Sequence, residues 1–270
     1  MTSTLPPRDW TDIRTDVTGT GRARWIAVLP LAATEQHGPH LPFETDVLIA
    51  QAYLARVREE LAADLPVTFL PIERIGISSE HTDFPGTLTL SPEVAIGKWM
   101  ALGESVAKAG LRKLVIVTSH GGNSAAMSLV AQELRTHHHM LVVATSWGRL
   151  SAPETLFSAE EVEHGIHGGA IETSIMLARY GEQVQRDRIA NFRPSTIAMK
   201  KDFRWLSAQR PAPFAWQVQD LHPSGAVGDA TLATAEKGER LIDQGSKAFC
   251  ELLAEVDRFD LQLLSNRPQA

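Results

Sequence analysis

Short apolar runs alternate with amphipathic stretches through about residue 180, and this alternation constrains the fold more than any other feature of the sequence. The apolar runs have the length of buried strands and lie at 25–33, 67–70, 114–119 and 140–146. The stretches with apolar residues at helical spacing lie at 45–64, 91–110, 124–137 and 171–180. Because strands that alternate with helices indicate βαβ units, we predict an α/β fold with a mainly parallel central sheet, closed by a long helix at 235–259.

The segment 181–233 has no clear periodicity and contains many Pro, Arg and aromatic residues. A segment of this length without regular structure is commonly functional or part of an interface. We find no internal repeat, low-complexity tract or linker. A chain of 270 residues could form one domain or two, and the absence of a linker leads us to predict a single domain over residues 1–270.

The composition argues against several classes of partner. No apolar stretch approaches the roughly 18 residues of a membrane span, and residues 1–10 have no apolar core of a secretory signal, so we expect a cytoplasmic protein with no membrane partner. The net charge of -6 and the scattered basic residues disfavour nucleic acid as a partner. The only cysteine is Cys250, which excludes an intramolecular disulfide, and its apolar helical context predicts a buried thiol.

Three residues of types that bind metals lie close together after the first apolar run: Glu35, His37 and Asp46. The segment 35–42 contains a glycine and two prolines, so we predict a rigid loop, with Asp46 in the first turn of the next helix. Taken singly, Asp46 could be a helix-start carboxylate and His37 a surface histidine. Together with Glu35, within twelve positions, they are hard to attribute to packing.

A fourth residue of this kind, His120, follows the third apolar run. Ligands of open α/β sheets bind at the carboxyl ends of the strands, where two carboxylates and two imidazoles would meet. These are common donors for Zn, Mn or Fe, which indicates a metallohydrolase. Gly121 and Gly122 would let a ligand approach the backbone closely, and Asn123 or the serine after it would cap the following helix.

A third group of polar residues surrounds His167, which lies in a glycine-rich segment. Glu172 follows near the start of a helix, where it could bind a metal or only complement the helix dipole. We interpret His164 as a bystander. The histidines at 137–139 end a helix and are interpreted as structural.

These motifs together resemble the creatininase (creatinine amidohydrolase) family. The resemblance is carried, in chain order, by Glu35-x-His37-Gly-Pro-His-Leu-Pro with Asp46, the stretch 83–87, His120-Gly-Gly-Asn123, Trp147, His167-Gly-Gly-x-x-Glu172 and the stretch 233–238. It covers about residues 25 to 245. It implies a three-layer αβα fold, a site for two divalent metal ions (Zn, Mn or Fe), a small-molecule substrate and a homo-oligomer, often a hexamer.

The family pattern also implies roles for individual residues. Glu35 and His120 would bind one metal, His37 the other, and Asp46 would bridge both. A hydroxide between the metals would attack the substrate, with His167 transferring a proton to the departing nitrogen. Trp147 would form an aromatic wall for the substrate, and the loop residues Gly121, Gly122 and Asn123 would also contact it.

The chain departs from creatininase at two positions. Gly122 stands where creatininase has a metal-binding Glu, so another oxygen donor is needed, and Glu172 is our candidate. Glu163 stands where creatininase has a substrate-covering tryptophan. This second change disfavours creatinine itself as the substrate, because a flat ring would lack one of its two walls.

We therefore predict a divalent-metal amidohydrolase that cleaves a non-peptide C–N bond, of a cyclic amide. Within the family, the alternatives are a formamidopyrimidine nucleotide deformylase, a peptide-precursor peptidase and a cyclic keto-polyol hydrolase. A phosphate-bearing substrate would require arginines near the site, and Arg193, Arg204 and Arg210 are available in the segment 181–233.

Two alternatives lie outside catalysis. A nucleotide-binding α/β module would share the alternating pattern and Gly121-Gly122, but no G-x-G-x-x-G or G-x-x-x-x-G-K-[ST] sequence follows any apolar run. An inactive scaffold is suggested by the missing Glu at Gly122, whereas the other four central ligands argue against it.

Overall fold

The computed structural model describes residues 5–14 and 22–264. A four-stranded parallel sheet lies at its centre, in the order β2-β1-β3-β4. The strands are β1 (Ile26–Leu31), β2 (Val67–Phe69), β3 (Lys113–Thr118) and β4 (Leu141–Ser146). The predicted parallel sheet is therefore confirmed. The expectations about residues 1–4, and about the two ends of the predicted domain, lie outside the described residues.

Five of the helices correspond to those predicted from the sequence. They are α1 (Thr45–Glu60), α2 (Pro92–Lys108), α3 (Ser124–His138), α6 (Ala170–Arg179) and α9 (Ala235–Arg258). Short helices α4 (Trp147–Leu150) and α5 (Ala159–His164) connect β4 to α6. None of the described helices is long and apolar enough to cross a membrane.

The sheet separates two hydrophobic cores, which makes the fold a three-layer αβα arrangement. Ile26 and Val28 of β1 pack on one side with residues of α1, α6 and α9. Ala27 and Leu29 pack on the other side with residues of α2 and α3. Successive strand residues point to opposite faces, and a strand covered on both faces is apolar along its whole length. This explains why β1 and β3 appear as continuous apolar runs.

A buried lysine connects the sheet to the closing helix. Lys113, the first residue of β3, donates hydrogen bonds from Nζ to the carbonyl oxygens of Val256 (2.7 Å) and Asp257 (2.6 Å). These carbonyls lie in the last turn of α9, where backbone acceptors have no partner within the helix. The ammonium group therefore satisfies the carboxyl end of α9 and complements its dipole.

The segment 181–233 contains regular structure that its sequence does not indicate. Its elements are β5 (Asn191–Phe192), α7 (Ser195–Asp202), β6 (Leu206–Ser207), β7 (Ala212–Pro213), α8 (Val218–Leu221) and β8 (Gly228–Asp229). Elements of two to eight residues are too short to produce a recognisable period. The prediction of an irregular segment was wrong for this reason.

Cys250 lies on α9 and is only partly buried, so the prediction of a buried thiol holds in part. Burial, together with nearby Glu60 and Glu251, raises the pKa of this thiol to about 11. The thiol is therefore uncharged at neutral pH, as is usual for a cysteine that contributes only to packing.

Candidate metal centre

The candidate metal ligands come from separate segments that meet at the carboxyl ends of β1 and β3. They are Glu35 and His37 in the loop after β1, Asp46 in the first turn of α1, His120 after β3, and Glu172 in the first turn of α6. The parallel register pairs Leu31 with Thr118, so the two strands end side by side. The structure thus brings all five predicted ligands together.

The loop after β1 is held close to a neighbouring segment. Gly38 has a φ of +70°, a conformation that residues with a Cβ rarely adopt. A Cβ at this position would also lie 2.6 Å from the Cβ of Ala226. The glycine in the motif is therefore required both by the turn and by the close approach of the chain.

Asp46 lies between two groups of potential ligands. Its Oδ2 is 3.5 Å from Nδ1 of His120, and Oε1 of Glu35 lies 3.1 Å from the same nitrogen. Its Oδ1 is 3.6 Å from Nε2 of His37, and Oε2 of Glu172 lies 3.9 Å from that nitrogen. One carboxylate oxygen faces each group, which is the arrangement that a bridging ligand requires.

The backbone determines which nitrogen of each histidine is free to bind. His37 donates from Nδ1 to the carbonyl oxygen of Glu35 (3.1 Å), which leaves the lone pair on Nε2. His120 donates from Nε2 to the carbonyl oxygen of Ile77 (2.7 Å), which leaves the lone pair on Nδ1. Metal-binding histidines commonly donate their other ring N–H in this way. Both free nitrogens face Asp46.

Several polar atoms in this cluster are buried without a hydrogen bond to any described residue. They are both carboxylate oxygens of Glu35, Nε2 of His37 and Oδ2 of Asp46. Buried polar groups normally have partners, and acceptors that converge without donors fit a bound cation. The donor set of carboxylates and imidazoles suits Zn, Mn or Fe, so the residues present fit two divalent ions.

The histidines and carboxylates perturb one another strongly. Burial disfavours the charged form of His37, but Asp46, Glu172 and Glu35 outweigh it and raise the pKa of His37 to about 9. In the same way, burial opposes the charge of His120, while Glu35 and Asp46 raise its pKa to about 10. Without a metal, both imidazoles are therefore positively charged at neutral pH, with the second proton on Nε2 of His37 and Nδ1 of His120, where a bound metal would replace it.

The carboxylates respond in different directions. Burial raises the pKa of Glu35, but the charges of His120 and His81 outweigh this effect and hold it well below its usual range. For Glu172 burial dominates and raises the pKa to about 7. Glu35 is therefore the stronger anionic ligand at neutral pH.

His167 lies against this cluster, in van der Waals contact range of His37, with ring centroids 4.2 Å apart. It donates from Nε2 to the carbonyl oxygen of Gln36 (2.6 Å), so its free Nδ1 faces Oε1 of Glu35 at 3.7 Å. Burial, followed by the charges of His37 and His81, lowers its pKa well below the usual value. The imidazole is therefore neutral at rest and able to accept a proton at Nδ1.

Gln36 and His81 belong to the site and were missed by the sequence analysis. Gln36 has a defined amide orientation, because Oε1 accepts from the Gly38 N–H and Nε2 donates to the carbonyl oxygen of Gly225, both at 2.9 Å. Its Nε2 also lies 2.7 Å from Nδ1 of His81, which must then be the acceptor. The N–H of His81 is consequently on Nε2, 3.4 Å from Oε1 of Glu35.

Glu172 has a structural contact in addition to its position near His37. Its Oε2 accepts a hydrogen bond from the backbone N–H of Gly168 at 2.6 Å, just before the first turn of α6. Its position therefore agrees with both sequence interpretations, metal ligand and helix-start carboxylate.

The space beside Gly122 is already filled. A Cβ at this position would clash with the carbonyl oxygen of Ile77 and the ring of His120, and would lie 2.7 Å from Oε1 of Glu80. Glu80 itself lies 3.7 Å from Nε2 of His120. A carboxylate from a neighbouring segment thus occupies the region of the expected Glu, which the sequence analysis did not foresee. Gly121, by contrast, has open space beside it, and its contact with a substrate stays a prediction.

The predicted substrate contacts of Trp147 and Asn123 are corrected by the structure. The Trp147 side chain lies in the core, stacked on Tyr53 with ring centroids 4.6 Å apart and packed against Phe249. Asn123 is fully buried and connects loops, since it accepts from the Ile77 N–H and donates to the Ala32 carbonyl oxygen. Neither presents a surface to a substrate. Asn123 occupies the N-cap position of α3, but its side chain makes no capping hydrogen bond.

A buried carboxylate supports the segment that carries His167. Glu161 accepts hydrogen bonds from the backbone N–H groups of Ala170 (2.7 Å) and Asp229 (2.8 Å). Ala170 is the first residue of α6, and Asp229 belongs to β8. Next to β8, an isolated antiparallel bridge pairs His167 with Val227. Burial raises the pKa of Glu161. No motif in the sequence indicates this role.

The chain matches the family model described as "Creatininase: Creatinine amidohydrolase" over residues 9–253. It is 28% identical over 249 residues to the creatinine amidohydrolase of Pseudomonas putida, covering 85% of this chain and 89% of that protein. It is 32% identical over 223 residues to the mycofactocin precursor peptide peptidase of Mycobacterium tuberculosis, covering 80% of this chain and 79% of that protein. A solved structure named "Creatininase Mn" superposes with a TM-score of 0.71 at 26% identity, covering 86% of this chain and 91% of that one.

Proposed function

The chain belongs to the creatininase family, and from this premise we propose that it is a metal-dependent hydrolase that cleaves a non-peptide C–N bond in a small molecule. The observation that supports this most strongly is the position of Asp46 between two buried groups of ligands, with one oxygen facing each. A carboxylate so placed is suited to two metal ions a few ångströms apart. The motif-based family assignment is confirmed by the family match.

Two divalent ions held by Glu35, His37, Asp46, His120 and Glu172 would lower the pKa of a water molecule and polarise the carbonyl group that it attacks. The neutral His167 would accept a proton at Nδ1 and pass it to the departing nitrogen. The hydrogen bond from its Nε2 to the Gln36 carbonyl oxygen would keep Nδ1 directed at the reacting atoms. Burial of the cluster would strengthen each of these electrostatic interactions.

We propose a cyclic amide other than creatinine as the substrate. Glu163 is exposed and its carboxylate is bound by Lys200 at 2.5 Å, so it supplies no apolar cover. The Trp147 side chain is buried in the core, stacked on Tyr53, so it does not supply an aromatic wall either. Without two aromatic walls a small flat ring would be held loosely.

A second candidate is cleavage of a precursor peptide. It is favoured by the same lack of an aromatic cover, which leaves room for a larger substrate, and by the similarity to a relative named for that activity. It uses the same metal ligands and the same proton transfer, and differs only in the bond that is cleaved.

Elemental analysis of the purified protein and of Asp46→Asn tests the proposal. We expect two divalent ions per chain in the wild type and the loss of both in the variant, which keeps the shape of the side chain. Turnover should be assayed on creatinine, other cyclic amides, formamidopyrimidines and a precursor peptide. Full metal content in Asp46→Asn would contradict the bridging role, and efficient creatinine turnover would contradict the substrate assignment.

His167→Ala tests the proton transfer separately. Loss of a positioned acid or base typically costs about a hundredfold to ten-thousandfold in rate. We expect a loss of this size with both metals retained. An active His167→Ala would show that another group transfers the proton.

A further inference from the structure

A cleft of about 190 Å³ lies outside the metal centre, between the end of α5 and the segment from α7 to β7. Its wall includes Ile166, Met199, Lys200, Phe203, Arg204 and Arg210. Of the described residues, none that we assign to metal binding lines it. The cleft is therefore a separate cavity, and the roles described above do not explain it.

Two of the three cations at this cleft are uncompensated. Lys200 donates from Nζ to both carboxylate oxygens of Glu163, at 2.6 and 2.5 Å, so its charge is neutralised. The guanidinium groups of Arg204 and Arg210 form no ion pair or hydrogen bond within residues 5–14 and 22–264. Arg204 instead lies over the ring of Trp205, 4.8 Å from its centroid.

The two unpaired arginines concentrate positive charge at one cleft of a chain whose formal net charge is -6. Like charges gathered at one cleft repel each other, and elsewhere on the surface arginines such as Arg24 and Arg179 are paired with carboxylates. Guanidinium groups bind carboxylate, sulfonate and phosphate groups through two parallel hydrogen bonds. An anion would therefore relieve the repulsion at the cleft.

The rest of the wall combines polar residues, namely His164, Thr196, Ser207 and Gln209, with an apolar part. Ile166, Met199 and Phe203 would cover a ring or a short alkyl group. The cavity is smaller than the roughly 300 to 1,000 Å³ typical of sites for drug-sized ligands, so the ligand it fits is about the size of one substituted ring.

We propose that this cleft binds a small organic anion, with Arg204 and Arg210 holding its charged group and the apolar wall covering its body. The anion could be the remote end of the hydrolase's own substrate or a separate molecule. Ile166 directly precedes His167 in the chain, so the cleft lies next to the segment that carries the proposed proton-transferring residue. Only the first of these two sources rests on the proposed function.

Titration with benzenesulfonate, followed by NMR line broadening of its ring protons, tests the site. This probe has the required charge and size and coordinates metals weakly. We expect saturable binding to the metal-loaded protein and at least a tenfold loss of affinity in the double variant Arg204→Gln/Arg210→Gln. Arg149→Gln, an exposed arginine on α4, is the matched control and should bind as the wild type does.

A comparison of protein loaded with Mn²⁺ and with Zn²⁺ distinguishes the two sources. Extra broadening by paramagnetic Mn²⁺ that disappears in the double variant would place the bound anion beside the metals and identify it with the remote end of the substrate. Equal line broadening with Mn²⁺ and with Zn²⁺ would place the bound anion away from the metals and identify it as a separate ligand. Absence of saturable binding, or equal affinity in the wild type and the double variant, would overturn the proposal. Metal content and hydrolase activity are measured independently, so failure here would leave the proposed function intact.

Discussion

Glu172 touches two features that imply different roles, namely His37 and the backbone N–H of Gly168. If it is a metal ligand, Glu172→Gln should weaken one of the two metals selectively and reduce turnover. If it only supports the start of α6, the variant should lose about 1 to 3 kcal/mol of stability with its metal content unchanged. We expect the first result, measured by elemental analysis and denaturation.

Glu80→Gln provides the matched control for this experiment. Its carboxylate lies 3.7 Å from His120, in the region of the Glu expected at Gly122. Loss of a metal in Glu80→Gln, with full metal content in Glu172→Gln, would identify Glu80 as the substitute ligand.

His81 is predicted to position Glu35 for metal binding. Gln36 places the N–H of His81 on the nitrogen that faces Glu35, and its ring stacks on His167 with centroids 4.2 Å apart. His81→Phe keeps the stacking but removes the donor. We expect about a tenfold to hundredfold loss in metal affinity, as for other groups that orient metal ligands, measured by competition with a chelator.

His40→Phe is the corresponding control. This residue is equally buried, but its Nε2 pairs with the hydroxyl of Thr173 at 2.9 Å, and it forms no hydrogen bond or ion pair with Glu35. Equal loss of metal affinity in both variants would attribute the effect to disturbed packing and contradict a positioning role for His81.

Among the secondary-structure elements, α9 depends on a contact from the sheet. Lys113 donates to two carbonyl oxygens in its last turn, and burial lowers the pKa of this ammonium group. Lys113→Met removes both hydrogen bonds and leaves buried acceptors unpaired, which should cost about 1 to 3 kcal/mol of unfolding free energy. Chemical denaturation measures this loss, and metal content should be unchanged.

Lys247→Met, at an exposed position of the same helix, should change stability by no more than about 0.5 kcal/mol. If both lysine variants lost the same stability, the effect would come from the change in net charge rather than from the contact with α9.

For the whole molecule, metal binding is expected to depend on pH. In the metal-free protein the pKa of His37 is raised to about 9 and that of His120 to about 10, chiefly by Asp46 and Glu35 acting against burial. Both imidazoles are then protonated at pH 7, and a metal must displace these protons. Affinity should therefore rise with pH and level off as pH passes about 9 to 10.

Calorimetric titration in buffers of different ionisation enthalpy measures the proton release. At pH 7 the apparent enthalpy of metal binding should depend on the buffer, and this dependence should fade toward pH 10. A buffer-independent enthalpy at pH 7 would show that the imidazoles are already neutral before the metal binds.

The chain is also predicted to assemble, as a hexamer. Trp205 is 62% exposed and Leu206 is 44% exposed, and exposed apolar patches commonly mark contacts between proteins. Light scattering should give a mass several times that of the 29.6 kDa chain, and Trp205→Ser should lower it. A monomer at micromolar concentration would contradict this prediction. The single domain over residues 1–270 likewise stays a prediction, which limited proteolysis tests.

The sequence by itself determined the parallel sheet and the place of its central ligands. Helical and strand periodicity is a local property, and β1, β3, α1 and α9 lie within a few residues of their predicted bounds. Residues that follow parallel strands must meet at one edge of the sheet. Glu35, His37, Asp46 and His120 could therefore be located without knowing any contact between distant segments.

Only the tertiary structure decided the roles of Gln36, His81, Trp147 and Asn123. Gln36 contacts residues 45 and 131 positions away, and no local pattern encodes which distant side chain a buried amide will meet. Trp147 is a core residue because it meets Tyr53 and α9, although the family resemblance implied that it would contact the substrate. Periodicity places elements, whereas the partners of a buried polar or aromatic group follow from how those elements pack.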